Sequence, residues 1–380
     1  VAELTLTQRY LPGKRAVVVG AGSFGTAIAV LLARSGWRTT LQTRTAEQAE
    51  RLIAEGENRT YLPGVALPTE LRVESADAGL KGFDYVFLGV PSRGMEEVIK
   101  SLHRRGLGRR AAIMSLAKGL VPPEGRAPTV LLRDRFGIER VGCIGGPAHA
   151  QEMVHEGAGL VAAAANQRLA KAVADAFIRA GVVCERSNDP VGVELAGAAK
   201  NAASLAAGAT EKQGLNAAGA AAGHIFAEVW RYAEAQGARP ESMIGLGGTG
   251  DLVATALAPH SRNRRAGELL GAGVPSAEIP DRIGQAVEAL GAVPLLASAL
   301  QRAGVDAPVT TGLANLITGE STLQEWVALV RTTVPPPARW RRRQLARRTL
   351  RALVDRWRLR WVRWRHRGRR LLTAGPRPKS

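Results

Sequence analysis

Gly20-Ala21-Gly22-Ser23-Phe24-Gly25 constrains this chain more than any other segment. It follows the β-branched run Arg15–Val19, a buried-strand pattern, and opens the helical segment Thr26–Ser35. In a strand–turn–helix unit the first glycine, Gly20, permits the tight turn. The second, Gly22, lets a pyrophosphate approach the backbone, and the third, Gly25, lets the helix pack on the strand. The helix N-terminus then offers unpaired N–H groups to an anion. In this context the G-x-G-x-x-G pattern reads as a dinucleotide-binding turn rather than a chance glycine cluster.

The segments that follow extend the unit. Thr39–Gln42, Phe83–Val90, Ala111–Leu116, Val141–Ile144, Gly159–Ala164 and Gly181–Cys184 read as further short strands between helical stretches. That alternation predicts an α/β domain with a largely parallel sheet over residues 1–188. After Asn188 the β-branched runs vanish and Ala, Gly and Leu dominate. Gly192–Gly208, Ala217–Gln236, Arg262–Gly271, Ala277–Gly291 and Pro294–Ala303 read as helices, so residues 189–334 are expected to form a helical domain. Pro335–Pro337 open a separate segment, residues 335–380.

The net charge of +19 suggests a nucleic-acid binder until its distribution is read. Residues 335–380 hold 16 Arg and one Lys against one acid, Asp355. The first 334 residues hold 35 bases and 32 acids, so the body is nearly neutral. Within the tail, residues 339–372 place Leu350, Leu353, Trp357, Trp361 and Trp364 at steps of 3, 4, 4 and 3, one helical face with arginines around it. An anionic membrane surface fits this pattern best among the functional partners and nucleic acid less well. Docking on the body or a sequence without a selected role weighs about as much. Apolar residues make up 46% of the chain, which excludes disorder of the bulk, and no 18-residue apolar run exists to cross a membrane. Cys143 and Cys184 sit in apolar surroundings, so a reducing, cytoplasmic setting without disulfides is expected. Val1–Tyr10 has no apolar stretch of signal-peptide length. The histidines lack ligand spacing, so no metal is expected. Ser115-x-x-Lys118 lacks the partner motifs of acyl-transfer enzymes.

Three polar islands interrupt the second half: Lys200-Asn201, Gly250-Asp251 with Thr255, and Ser261–Arg265. A lysine in a helix of small apolar residues is costly to bury and needs a partner or a task. At the end of the second strand, Leu41-Gln42-Thr43-Arg44 carries no acid to accept ribose hydroxyls. Arg44 can clamp a 2′-phosphate, so NADP(H) is favoured over NAD(H).

Together these residues resemble the bacterial type of NAD(P)-dependent glycerol-3-phosphate dehydrogenase. The resemblance runs in order over about Arg15–Ile317: Gly20–Ala29, Asn58–Pro63, Val90–Ser92, Lys118–Leu120, Gly145–Pro147, Gly192–Gly208, Gly250–Val253, Ser261–Arg265 and Ile283–Glu288. It implies a Rossmann-type domain followed by an all-helical substrate domain, as in 6-phosphogluconate-dehydrogenase-like proteins, and reduction of a three-carbon ketone phosphate. Lys200 matches the family's acid/base lysine, with Lys118 and Asp251 beside it. By the same match Gly146, Asn201, Thr255, Ser261, Arg262 and Asn263 would hold a small phosphorylated substrate. Ser23, Phe24, Arg44, Tyr61, Lys118, Ala150, Arg262 and Glu288 would join the three glycines around the cofactor. A homodimer is compatible with the resemblance. The rim departs from the family: Ala148 replaces a Ser or Thr, His149 an aromatic, His224 an arginine, and Thr249 the leucine of Leu-Gly-Asp. Those departures keep two alternatives in view, a related small carbonyl substrate and a non-catalytic dinucleotide-binding module.

Overall fold

The computed structural model describes residues 13–258 and 261–336. Its strands are β1 (Arg15–Val19), β2 (Arg38–Thr43), β3 (Glu57–Asn58), β4 (Leu62–Ala66), β5 (Arg72–Ser75), β6 (Tyr85–Leu88), β7 (Ala112–Ser115), β8 (Val141–Gly145), β9 (Gly159–Ala164) and β10 (Val183–Ser187). The helices threaded between them are α1 (Ser23–Arg34), α2 (Ala46–Glu55), α3 (Met95–Ser101), α4 (Pro128–Phe136), α5 (Ala150–His155) and α6 (Gln167–Arg179). Eight strands form one sheet in the order β10-β9-β8-β7-β6-β1-β2-β5. Every pairing is parallel except β8 with β9. Strand order reverses between β1 and β6, which opens a crevice at their carboxyl ends.

β1 is hydrophobic on both faces because both are covered. Ala16 and Val18 join the core under α1 and α6, while Val17 and Val19 join the core under α3 and α4. The glycine turn sits at the reversal point. Gly20 has φ of +111°, and a Cβ there would meet the Gly89 carbonyl oxygen at 2.5 Å. Gly25 lies so close to the turn that a Cβ would stand 2.1 Å from the Gly20 carbonyl oxygen. Gly22 differs, since its Cβ direction faces open space.

From residue 190 the described elements are helical: α7 (Pro190–Thr210), α8 (Leu215–Ala235), α9 (Pro240–Ile244), α10 (Asp251–Leu257), α11 (Arg262–Gly271), α12 (Ile279–Ile283), α13 (Glu288–Arg302), α14 (Pro308–Thr318) and α15 (Leu323–Thr332). The Asp189 carboxylate starts α7, accepting from Gly192 N at 2.9 Å, Arg239 N at 2.7 Å and Ser242 Oγ at 2.7 Å. Eighteen of the 21 residues of α7 are buried, which is why it is apolar all round. Its small residues bring α11 to backbone contact: a Cβ on Gly208 would meet Arg264 O at 2.2 Å, and one on Gly267 would meet Leu205 O at 2.0 Å.

Three sequence expectations need correction. Ala277–Gly291 is not one helix, because Gly284 ends α12 in the left-handed region at φ +75°. Pro294 does not open a helix either. It lies inside α13, which begins at Glu288. The short strands β3–β5 and the helices α9, α10, α14 and α15 were not legible as elements. The strand expected over Gly181–Cys184 begins later, at Val183, after the left-handed Gly181. Cys143 and Cys184 are buried free thiols. No helix among the described residues is long and apolar enough to cross a membrane. The tail pattern on residues 339–372 lies outside the described residues.

Candidate active site

The carboxyl end of the sheet, the middle of α7 and the start of α10 converge on one carboxylate. Lys118 follows β7, Lys200 projects from the middle of α7, and Asp251 opens α10 after a π-helical turn at Leu246–Gly250. Asp251 Oδ2 lies 3.2 Å from Lys118 Nζ, and its Oδ1 lies 3.2 Å from Lys200 Nζ. The side chains of Asp251 and Lys200 are 3% and 9% exposed. Two ammonium groups thus share one buried counter-ion, which leaves a net positive charge in the crevice.

Each group has further anchors. Lys118 Nζ donates to Gly146 O at 3.1 Å and sits 5.1 Å above the centroid of the Phe24 ring. Phe24 belongs to the first turn of α1, so the glycine turn and this lysine are in direct contact. Lys200 Nζ donates to Thr255 Oγ1 at 3.1 Å, and Thr255 lies one helical turn after Asp251 on the same face of α10. Asn201 Nδ2 donates to Lys118 O at 3.3 Å, and Asn263 Nδ2 donates to Asn201 Oδ1 at 2.9 Å. The Gly145–Gly146–Pro147 turn tolerates nothing larger at Gly146, where φ is +100° and a Cβ would meet Gly159 O at 2.2 Å.

This arrangement sets proton affinities. Burial pushes the Lys200 ammonium down from 10.5 to about 8, and the nearby Lys118 charge acts in the same direction. Asp251 and, more weakly, Glu288 oppose the shift without cancelling it. Burial pushes the Asp251 carboxyl up, but the two lysines outweigh it and hold the group below its ordinary value. Asp251 is therefore an anion at neutral pH, while Lys200 is poised to gain or lose a proton there.

The remaining sequence candidates divide into two groups. Gly20, Gly22, Ser23, Phe24 and Gly25 line the head of α1, whose first turn carries no acid and no side-chain cap. Its free N–H groups and the open space at Gly22 suit a pyrophosphate. Ala150 opens α5 nearby, and Glu288 opens α13 close enough to act on Lys200. Arg44 is exposed just after β2, and Tyr61 is 48% exposed. Neither side chain is drawn into the lysine cluster. Arg262 is exposed and donates to Ala286 O at 3.2 Å. Ser261 is buried, and its Oγ accepts from Arg264 N as the cap of α11.

One residue of this region carried no assigned role in the sequence. Asn58 is buried, and its Nδ2 donates to Ala21 O at 2.9 Å and to Thr26 Oγ1 at 2.8 Å. It pins the glycine turn to α1. An asparagine just before a Tyr-Leu-Pro run was the available signal, because a buried amide must bond to something.

Comparison with known proteins agrees with this geometry. The model described as the NAD-dependent glycerol-3-phosphate dehydrogenase N-terminus matches residues 15–170, and its C-terminal counterpart matches residues 189–328. A glycerol-3-phosphate dehydrogenase (NAD(P)+) from Deinococcus radiodurans is 38% identical over 315 residues, covering 81% of this chain and 92% of that protein. The similarly named protein of Moorella thermoacetica is 38% identical over 302 residues, covering 77% and 88%. The crystal structure of glycerol-3-phosphate dehydrogenase from Coxiella burnetii superposes with a TM-score of 0.79 at 29% identity, over 85% of this chain and 100% of that one. A PanE/ApbA family ketopantoate reductase from Ralstonia eutropha, at 18% identity and a TM-score of 0.55, shares the fold alone. A Rossmann-type sheet, a helical half and a Lys–Asp–Lys crevice thus accompany 38% identity over 81% of the chain, which belongs to the NAD-dependent glycerol-3-phosphate dehydrogenase family of NAD(P)-dependent oxidoreductases.

Proposed function

We propose that this protein reduces dihydroxyacetone phosphate to sn-glycerol 3-phosphate, reversibly, with NADP(H) preferred over NAD(H). The observation that carries the reading is the buried Lys118–Asp251–Lys200 cluster in contact with the glycine turn. A nicotinamide dinucleotide with its pyrophosphate at the head of α1 would supply a hydride for C2 of the ketone. Lys200 gives the proton to the carbonyl oxygen, so the C=O becomes CH–OH and Lys200 is left as a neutral amine. In the reverse direction the amine takes the hydroxyl proton. Asp251 holds Lys200 in place through Oδ1, and the neighbouring Thr255 Oγ1 accepts from the same ammonium. Lys118, the Gly146 backbone and Asn201 orient the carbonyl end.

Arg262 and Asn263, with Ser261 at the head of the same helix, hold the phosphate. A guanidinium suits this role because it offers paired donors to phosphate oxygens. The cluster's net positive charge also favours a dianionic substrate. The product is the backbone of glycerophospholipids. That gives the Arg/Trp-rich tail, residues 339–372, a fitting partner in an anionic bilayer surface.

Replacing Lys200 by Ala is expected to lower reduction turnover by about 10²–10⁴ while leaving cofactor binding intact. Steady-state kinetics beside fluorescence titration with NADPH measure both. In the unaltered enzyme, reduction should weaken as pH rises through about 8, and oxidation should weaken as pH falls through the same value. Binding of NADPH without turnover of dihydroxyacetone phosphate would assign a different carbonyl substrate. Replacing Arg44 by Ala is expected to raise the KM for NADPH by about tenfold or more, the cost of one charge-assisted contact, with little change for NADH. Equal effects on both cofactors would overturn the NADP(H) preference. Flotation with anionic liposomes should be strong for the full chain and lost in a chain ending at Val334. Equal flotation would remove the membrane partner.

A further inference from the structure

Gln42 is fully buried near the carboxyl end of β2, and its main chain and side chain are both engaged. Its carbonyl oxygen accepts from Gly20 N at 2.9 Å, so it braces the first glycine of the turn. Its side chain takes the face opposite α1, since the adjacent Leu41 packs in the core on the α1 side. There Gln42 Nε2 donates to Gly79 O at 2.8 Å, and Gln42 Oε1 accepts from Arg105 Nη2 at 2.5 Å. The same Nη2 donates to Ala76 O at 2.8 Å. Arg105 follows α3, and its own carbonyl oxygen accepts from Leu80 N at 2.6 Å. One guanidinium thus joins the end of β2 to the segment that leaves β5.

Arg44 stands two residues beyond Gln42, in a turn held by polar side chains. Thr43 Oγ1 donates to Thr45 O at 2.7 Å and to Glu74 O at 3.3 Å. Gln48 Oε1 accepts from Arg44 N at 3.2 Å, and Thr45 Oγ1 accepts from Gln48 N at 3.3 Å. The spacing between the glycine turn and Arg44 therefore runs through the Gln42 backbone, and Arg105 secures Gln42 from below.

We propose that Arg105 is a positioning residue for the dinucleotide: through Gln42 it fixes the end of β2 between the glycine turn and Arg44. That a 2′-phosphate is what Arg44 meets rests on the proposed preference for NADP(H). The position is a costly one for an arginine. Its buried Nε has no partner among the described residues, and burial lowers its proton affinity more than the nearby Asp77 raises it. An apolar side chain would avoid that cost, yet could not grip Gln42 and Ala76 together. Arg140 offers a comparison. It is also partly buried and donates to two carbonyl oxygens, Ala111 O at 2.9 Å and Gly108 O at 2.7 Å. It immediately precedes β8, at the end of the sheet opposite the crevice, and touches nothing near the glycine turn.

The test compares the full chain with Arg105→Met, Gln42→Met and Arg140→Met. Gln42→Met keeps side-chain volume and the main-chain bond to Gly20, so it serves if Arg105→Met does not fold. Amide hydrogen exchange of the ligand-free protein should quicken by about tenfold at Gly20 and over residues 76–80 in Arg105→Met and Gln42→Met. Fluorescence titration should show the Kd for NADPH raised by about tenfold, and that for NADH by about threefold or less. Arg140→Met should lower Tm and change neither reading. Unchanged exchange at Gly20, unchanged affinity for both cofactors, or the same changes in Arg140→Met would overturn the proposal. Quickened exchange with an equal loss of NADPH and NADH affinity would keep Arg105 as the brace of the glycine turn and discard the 2′-phosphate at Arg44.

Discussion

The Asp251 carboxylate between two lysines is the contact on which the site depends. Taking three charges out of water is costly, and the mutual attraction offsets this only when the geometry is tight. The oxygens at 3.2 Å from each ammonium supply that geometry, one oxygen per lysine. One anion cannot neutralise two cations, so the cluster keeps a positive charge; burial first, and then the Lys118 charge, make Lys200 hold its proton less firmly than an exposed lysine. The same imbalance that destabilises the fold locally makes the proton transferable and the crevice attractive to a phosphate.

Such a cluster needs a rigid frame, and glycine-mediated backbone contact provides it. α7 carries Lys200 and Asn201 and is locked to α11 by Gly208 and Gly267, where any Cβ would collide with a carbonyl oxygen. α11 in turn presents Arg262 and Asn263. On the sheet side, Gly20 and Gly25 seat α1 so that Phe24 lies over Lys118. The glycine turn and the Asp251–Lys200 pair are thereby linked through one lysine. Lys118 touches the head of α1 through the Phe24 ring, the β8 turn through Gly146 O, and α10 through Asp251.

Much of this was legible in the sequence because the signals are local. A β-branched run followed by G-x-G-x-x-G fixes strand, turn and helix within a few residues, and a lysine amid alanines announces its own cost of burial. The helical half was read less well. Gly284 and Pro294 carry opposite meanings there, one ending a helix and the other sitting within one, and only packing decides between them. β5 is four residues long with one apolar residue, Arg-Val-Glu-Ser, so no hydrophobic period marks it. Asn58 acquires its role through partners 37 and 32 residues away, a distance no local pattern reports. Ser261 matched a substrate contact by motif, yet its hydroxyl also caps α11.

The central claim is that Lys200 is buried at a cost in its charged form. Thermodynamic linkage tests it without substrate or cofactor. With a value of about 8 in the folded protein and the ordinary lysine value of 10.5 in the unfolded chain, the stability that Lys200 contributes is present above pH 10.5 and is lost as pH falls through 8. The measurement is the unfolding free energy of the protein and of Lys200→Met, by denaturant titration from pH 7 to 11. The difference should stay constant up to pH 8 and then move in favour of the unaltered protein by about 3 kcal/mol by pH 10.5. A difference that does not change with pH would contradict the account, since Lys200 would then carry its proton as firmly inside the protein as in water.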